Sequence, residues 1–458
     1  MVLLLAIVAA APIQLHFDAT EFANAVYHTA CMTGRINCSR AVYMRFWNEK
    51  YHATPEDGAR FDEFGRILDE LESNVKPGRP LPFLPNDFSY FPALQVRERV
   101  LATAFGSKSV AEFRNRMGAF ATASQAAGLA GVLKHFQQRL HPWWGTTGRQ
   151  ILAGRSRAVE RRLRDLGVPG MAAEVATFLE TRPDERGYYL HAVPSPEYEG
   201  TAASATLVSN HFCGEVTHQF VLDDFAWVVA HELTHSLYGQ APQARKDALM
   251  RQFVESGDKS AQPLYMYLNE AMATGVGLLL VERNRKSLKE PYRDAYIPRL
   301  GEATLPLLRS ALANQKTLYD GFASPYLAAA RAALGEEADG LQFRFSCVAL
   351  IGDDDVREAF LKLLPLHYFV TGQKDWERYT RMDGILMLRY DQIHFDGNDR
   401  AEMEALMAKH RGFVYIARKE EHLDVFMLGR DHAVLKELGK MWAESKEQSR
   451  EGLIFVID

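Results

Sequence analysis

The chain of 458 residues is 47% hydrophobic and 24% charged, an ordinary globular composition that excludes a disordered or fibrous protein. Its length allows two or three domains, each with its own core. A formal net charge of −5 over that length lacks the basic footprint of a nucleic-acid binder, so no nucleic-acid partner is expected.

The first residues, Met1 to Ala11, form one apolar run that is too short to span a bilayer as a mature helix. The run matches the apolar part of a secretory signal, with Ala9 and Ala11 as small residues near a cleavage point; a buried N-terminal strand or helix is the other reading. A signal segment over 1–16 and a secreted or periplasmic protein are therefore expected, and no later segment reads as a membrane span. Of Cys31, Cys38, Cys213 and Cys347, none forms a C-x-x-C pair, so neither a cysteine zinc knuckle nor a redox centre is indicated. Cys31 and Cys38 could be bridged in an exported chain, or all four could be small buried side chains.

Residues 17–185 read as mostly helical. Apolar residues recur at helical spacing over 57–73, 96–104 and 109–139, separated by Pro-rich joints such as Pro77-Gly-Arg-Pro80. His141-Pro-Trp-Trp144 reads as a packing corner. Arg155, Arg157, Arg161, Arg162 and Arg164 are interrupted by Glu160 and Asp165, the pattern of a solvated helix face. The texture changes near Gly187. The runs 188–193, 205–212 and 215–221 are rich in aromatic and β-branched residues, so two or three strands of a small antiparallel sheet are expected, with a turn at Gly214. Asp223 or Asp224 then offers an N-cap for a helix beginning near Phe225. A polar stretch over 240–262 leads into a second strong helix over 264–283, and more helices follow to about Phe369.

From Trp376 the pattern predicts strand (385–395), helix (399–409), a hairpin (413–418 and 423–428), helix (431–445) and a closing strand (453–457). That order is β-α-β-β-α-β, a ferredoxin-like unit over 373–458. His394, His410, His422 and His432 fall there without ligand spacing. The expected architecture is α+β and predominantly helical, with the region 186–372 carrying the chemistry.

That chemistry centres on His231-Glu-Leu-Thr-His235. Two histidines four apart on a helix project from one face about a turn apart, so their ring nitrogens can reach one Zn²⁺ without bending the backbone. Glu232 is rotated away from that direction, where a carboxylate serves a water rather than the metal. A catalytic zinc takes a third protein ligand and keeps one position open. The metzincin pattern would need glycine and histidine where Tyr238 and Ala241 stand, which excludes that class. Asn269-Glu-Ala-Met-Ala273 supplies a carboxylate instead: Glu270 interrupts an apolar surface that includes Leu264, Leu268, Met272 and Val276, and burying it unpaired would be costly.

The two segments, His231-Glu-Leu-Thr-His235 and Asn269-Glu-Ala-Met-Ala273, resemble the gluzincin metallopeptidases, the thermolysin-like superfamily, over about 90 residues of the chain. The resemblance implies a zincin-like domain with one zinc held by His231, His235 and Glu270, Glu232 as general base, and a peptide or protein substrate. It also implies an edge strand within 205–221 that pairs with an extended substrate. Two departures stand out. The stretch between His235 and Glu270 is longer than in thermolysin. Thr274 stands where many members have the aspartate that orients the first histidine; a hydroxyl can accept that N–H but adds no negative charge. Gluzincins also supply a downstream Tyr or His to the oxyanion. Tyr319, Tyr326, His367 and Tyr368 are the candidates, Tyr326 foremost. His191, His211 and His218 lie in strand-like runs, where edge or core positions are the simpler reading. The absence of an amine-capturing G-x-M-E-N-like segment favours an endopeptidase, and the rival reading is an inactive or regulatory binding protein on the same frame.

Overall fold

The computed structural model describes residues 13–36, 38–73, 96–183, 187–199, 204–219, 221–258, 260–283, 296–339, 405–419, 422–444 and 452–458. The expected signal segment falls almost wholly outside the described residues. So do His367, Tyr368, His394, the strand over 385–395 and the start of the helix after it.

A short strand, β1 (Leu15–Asp18), is followed among the described residues by the helices α1 (Glu21–Met32), α2 (Arg40–Tyr51), α3 (Pro55–Ser73), α4 (Val96–Phe105), α5 (Val110–Met117), α6 (Ala123–Trp143), α7 (Arg149–Leu152), α8 (Arg155–Asp165) and α9 (Val168–Phe178). The helical period over 109–139 is split in two because the chain turns between Met117 and Thr122. Thr122 and Gln125 form a capping box that starts α6 afresh. Then come β2 (Tyr188–Pro194), β3 (Ala205–Val208) and β4 (His211–Val216), followed by α10 (Leu222–Gln240), α11 (Gln243–Glu255), α12 (Ala261–Arg283), α13 (Tyr296–Ala313) and α14 (Ala323–Leu334). The molecule is α+β and mostly helical, as its patterning suggests.

The four-stranded sheet runs in the order β1-β2-β4-β3. It is mixed, not antiparallel as expected: β1 with β2 and β2 with β4 are parallel, and β3 alone runs antiparallel to β4. The turn falls at Ser209-Asn210, where Ser209 adopts a left-handed φ of 58°. Gly214 lies inside β4, because a Cβ there would come within 2.5 Å of the Phe225 ring; the glycine serves close approach of α10, not reversal of the chain. Parallel pairing of β1 with β2 is available because a long helical stretch separates them, whereas β2 and β4 become parallel because β3 lies between them in the chain and turns antiparallel into β4.

Both faces of this sheet are covered, and β4 is buried at every position. Phe212 and Leu190 point into a core shared by α8 to α14, while Cys213 and Val193 belong to a second core built from α1 to α6. Cys31 and Cys38 are bridged beside that second core, with Cα atoms 5.8 Å apart. Its loop is anchored to the sheet: the Ser39 N–H (3.2 Å) and the Tyr27 hydroxyl (2.9 Å) both donate to Glu215 of β4.

The polar stretch after α10 proves helical. Leu249, Met250 and Phe253 form a narrow buried stripe on α11, hidden among charged neighbours in the sequence. In the C-terminal region β5 (Gly412–Lys419) and β6 (His422–Gly429) form the expected hairpin, followed by α15 (His432–Glu444) and β7 (Gly452–Ile457). Their order is β6-β5-β7, all antiparallel. A ferredoxin-like unit would leave the first hairpin strand at an edge; here that strand is central, with both its edges taken. Among the described residues, no helix is long and apolar enough to cross a membrane.

Candidate metal centre

Helix α10 carries the motif through the core. Its first turn holds Asp223 and Asp224, where negative charge meets the positive end of the helix, but the cap position is Val221 and has no side-chain bond. Arg162 of α8 pairs with Asp223, which gives one member of the arginine run a structural partner. At the far end the buried Lys246 donates from Nζ to the Gly239 carbonyl at 2.9 Å and lies 3.4 Å from that of Tyr238, closing the helix. Ser236 Oγ donates to Ser209 O at 3.0 Å and so ties α10 to the β3–β4 turn.

Within this frame His231 and His235 point toward α12, and Glu270 reaches back from it. His231 Nε2 lies 2.9 Å from His235 Nε2, and the two carboxylate oxygens of Glu270 lie 3.4 Å and 3.5 Å from those same nitrogens. All three side chains are buried, and among the described residues they form one group whose ligand atoms lie within 4.8 Å of one another. A tetrahedral ion with bonds near 2.05 Å sets its ligand atoms roughly 3.3 Å apart. The two histidine–carboxylate separations lie near that edge, and the histidine–histidine separation is shorter. Two imidazole lone pairs aimed at each other across so short a gap also need a proton or a cation between them.

The protonation of the metal-free cluster follows from the same geometry. Burial alone would push His235 down, but the charge and hydrogen bonding of Glu270 outweigh it, and the ring is raised to about 9. Burial alone would likewise push Glu270 up, yet the facing imidazoles hold it well below the usual carboxylate range. A cation held by His231, His235 and Glu270 would take the place of the proton that the pair otherwise holds. Glu232 is half-buried, outside the triangle, and close enough to His235 for its charge to favour the protonated ring.

Three neighbours complete the surroundings. Asn269 is near enough to His235 to favour its protonated form, although neither of its amide atoms meets hydrogen-bond distance and angle. Trp227, one turn before His231, stacks on that ring with centroids 5.4 Å apart and planes 26° from parallel. Thr274 packs against α13: a Cβ on Gly301 would meet its Cγ2 at 2.3 Å. Helical spacing would have marked Trp227 as a neighbour of His231, since the two are four apart; nothing local marks its contact with α12.

The oxyanion candidates fare differently. Tyr326 is fully buried in the core and donates to the Leu264 carbonyl at 3.0 Å, so it is a packing residue and not the donor expected. Tyr319 has Glu180, Tyr265 and Arg245 as its electrostatic neighbours, none of them in the triangle. His191 and His211 are core residues on the opposite side of the sheet from α10, facing each other at 2.9 Å. His218 is exposed and contacts the Tyr198 carbonyl at 3.1 Å. Comparisons with protein-family models, with curated proteins and with solved structures returned no match.

Proposed function

We propose that the protein is a zinc-dependent peptidase of gluzincin type on a zincin-like frame, with His231, His235 and Glu270 holding the ion and Glu232 acting as general base. The observation that carries this reading is the buried convergence of two imidazoles and one carboxylate, drawn from two helices, with ligand atoms close enough together to share one ion. Two neutral nitrogens and one carboxylate form the donor set of catalytic zinc in one large class of peptidases. A purely structural site has no use for a fourth polar side chain such as Glu232 beside it.

A zinc ion in that position supplies Lewis acidity, bringing the pKa of a water towards about 7 and polarising a substrate carbonyl. Glu232 takes a proton from the attacking water and hands it to the departing amine nitrogen. His231 and His235 keep their bearing because α10 is fixed at one end by Arg162 and at the other by Lys246. The strand β3 favours a peptide as substrate. It is the edge of the sheet beside α10, runs antiparallel to β4, and has no strand on its outer side among the described residues. An extended chain can add to that edge through main-chain hydrogen bonds, which suits an endopeptidase. The Cys31–Cys38 bridge fits the exported, oxidising setting that the N-terminal run suggests.

Metal analysis of the purified protein should return about one zinc per chain. Glu232→Gln should keep that zinc while lowering peptide hydrolysis by about 10²–10⁴-fold. Equal hydrolysis by the variant would overturn the assignment. Bound zinc with no cleavage across a broad peptide library would leave a binding protein on the same frame.

A further inference from the structure

A helix interior gives up about 1 kcal/mol at a glycine relative to alanine, so a glycine deep in a buried helix calls for a reason. Helix α12 has two, Gly275 and Gly277, and they face different ways. A Cβ on Gly275 would run into Leu308 of α13 at 2.7 Å, an ordinary helix–helix approach. A Cβ on Gly277 would land 2.2 Å from Nε1 of Trp227 and 2.7 Å from its Cδ1 and Cε2. No side chain other than hydrogen fits there while the indole stays in place. The same indole stacks on the His231 ring, with centroids 5.4 Å apart and planes 26° from parallel.

These contacts follow from the helix crossing. On α10, residues 227, 231 and 235 share a face; on α12, residues 270 and 277 meet that face in reverse order, Glu270 opposite the two histidines and Gly277 opposite the tryptophan. The helices therefore pack antiparallel at this point.

The geometry points to Trp227 and Gly277 as a clamp that positions the His231 ring for the ion, an inference that rests on the metal reading above. Trp227 touches no substrate in this scheme and is a positioning residue. Its indole is a rigid plate, confined by the α12 backbone at Gly277 and stacked on the imidazole of His231. Rotation of the His231 ring about its Cβ–Cγ bond would drive its edge into that plate, so Nε2 stays aimed at His235 and Glu270.

The test is zinc affinity, measured on the full chain by competition with a chelating indicator, with Co²⁺ absorption as a report on the ligand field. Trp227→Phe retains a flat face and should bind zinc within about threefold of the natural protein. Trp227→Leu keeps an apolar side chain without the flat face and should bind about 10–100-fold more weakly, the range for loss of an orienting partner. Gly277→Ala should lose affinity to a similar extent and shift the Co²⁺ bands. Trp227→Leu combined with Gly277→Ala should be no weaker than the worse single variant, because both act through one ring. Additive losses, or Trp227→Leu binding as tightly as the natural protein, would overturn the clamp while leaving the metal site standing. If Gly277→Ala does not fold, judged by circular dichroism, the contrast between Phe and Leu at position 227 decides alone. Absence of zinc from the natural protein would remove the metal reading, and the clamp with it.

Discussion

The same sheet has ionisable side chains buried on both of its faces, and they respond to burial in opposite ways. On the side of α1 to α6, His28 sits among Tyr43, Phe46 and Trp143, and burial lowers it to about 3. His191 is pushed well down by burial and by the adjacent His211, and Glu215 is pushed up by burial in spite of its bonds to Tyr27 and Ser39. Those groups are all moved toward their neutral forms. On the side of α10 and α12, His235 is raised to about 9 and Glu270 is held low, because each lies opposite a counter-charge. Burial by itself discharges a side chain. Convergence keeps it charged, and the same convergence places three ligand atoms where one ion could be held.

The sharpest way to break this contrast is to remove the convergence. Glu270→Ala deletes a direct donor, so zinc affinity should fall by more than the roughly 100-fold seen when an outer partner is lost. In the metal-free variant His235 should come to resemble His28, its raised value collapsing below the ordinary 6.5. An NMR titration of the ring checks this. A ring that still titrates near 9 would mean that Glu270 is not what holds it up.

A second, smaller effect sharpens the other half. A folded-state value near 3 for His28 means that below pH 6.5 the unfolded chain takes up a proton that the folded chain refuses. Stability is therefore lost as pH falls through that window, with a slope of up to about 1.4 kcal/mol per pH unit from this residue. His28→Phe removes the titrating group from its aromatic surroundings. Its stabilising effect should be about 2 kcal/mol greater at pH 5 than at pH 7, read from urea unfolding at the two values. Parallel pH profiles for the two proteins would refute the neutral, caged histidine.

The smallest effect tests a residue that belongs to the core and not to the site. Tyr326→Phe loses one hydroxyl bond, to the Leu264 carbonyl, and should cost about 1 kcal/mol of stability. Turnover should stay unchanged. A hundredfold fall in turnover with stability intact would restore Tyr326 to the oxyanion.

Much of the site was legible because it is written at helical spacing. His231, Glu232 and His235 fall within five consecutive residues, and Glu270 stands out as a carboxylate on an apolar helix whose limits were nearly right. The C-terminal hairpin was legible from a different period, as two alternating runs close together. The β1 strand was not: four residues carry too little pattern, and its parallel partner β2 lies beyond the long helical region. Gly214 misled because a glycine between two strand-like runs signals a turn, while its actual use is to admit the Phe225 ring. Charged neighbours masked the narrow buried stripe of α11.

Local order, then, determined which side chains could act together: residues three or four apart on a helix share a face whatever the rest of the chain does. Tertiary packing decided which of them do. The partnership of Glu270 with the two histidines, the seating of Trp227 against Gly277, and the separation of His191 and His211 from the triangle all depend on how elements far apart in the chain cross or pair. Such crossings are set by the fit of whole surfaces, and no short stretch of sequence contains a whole surface.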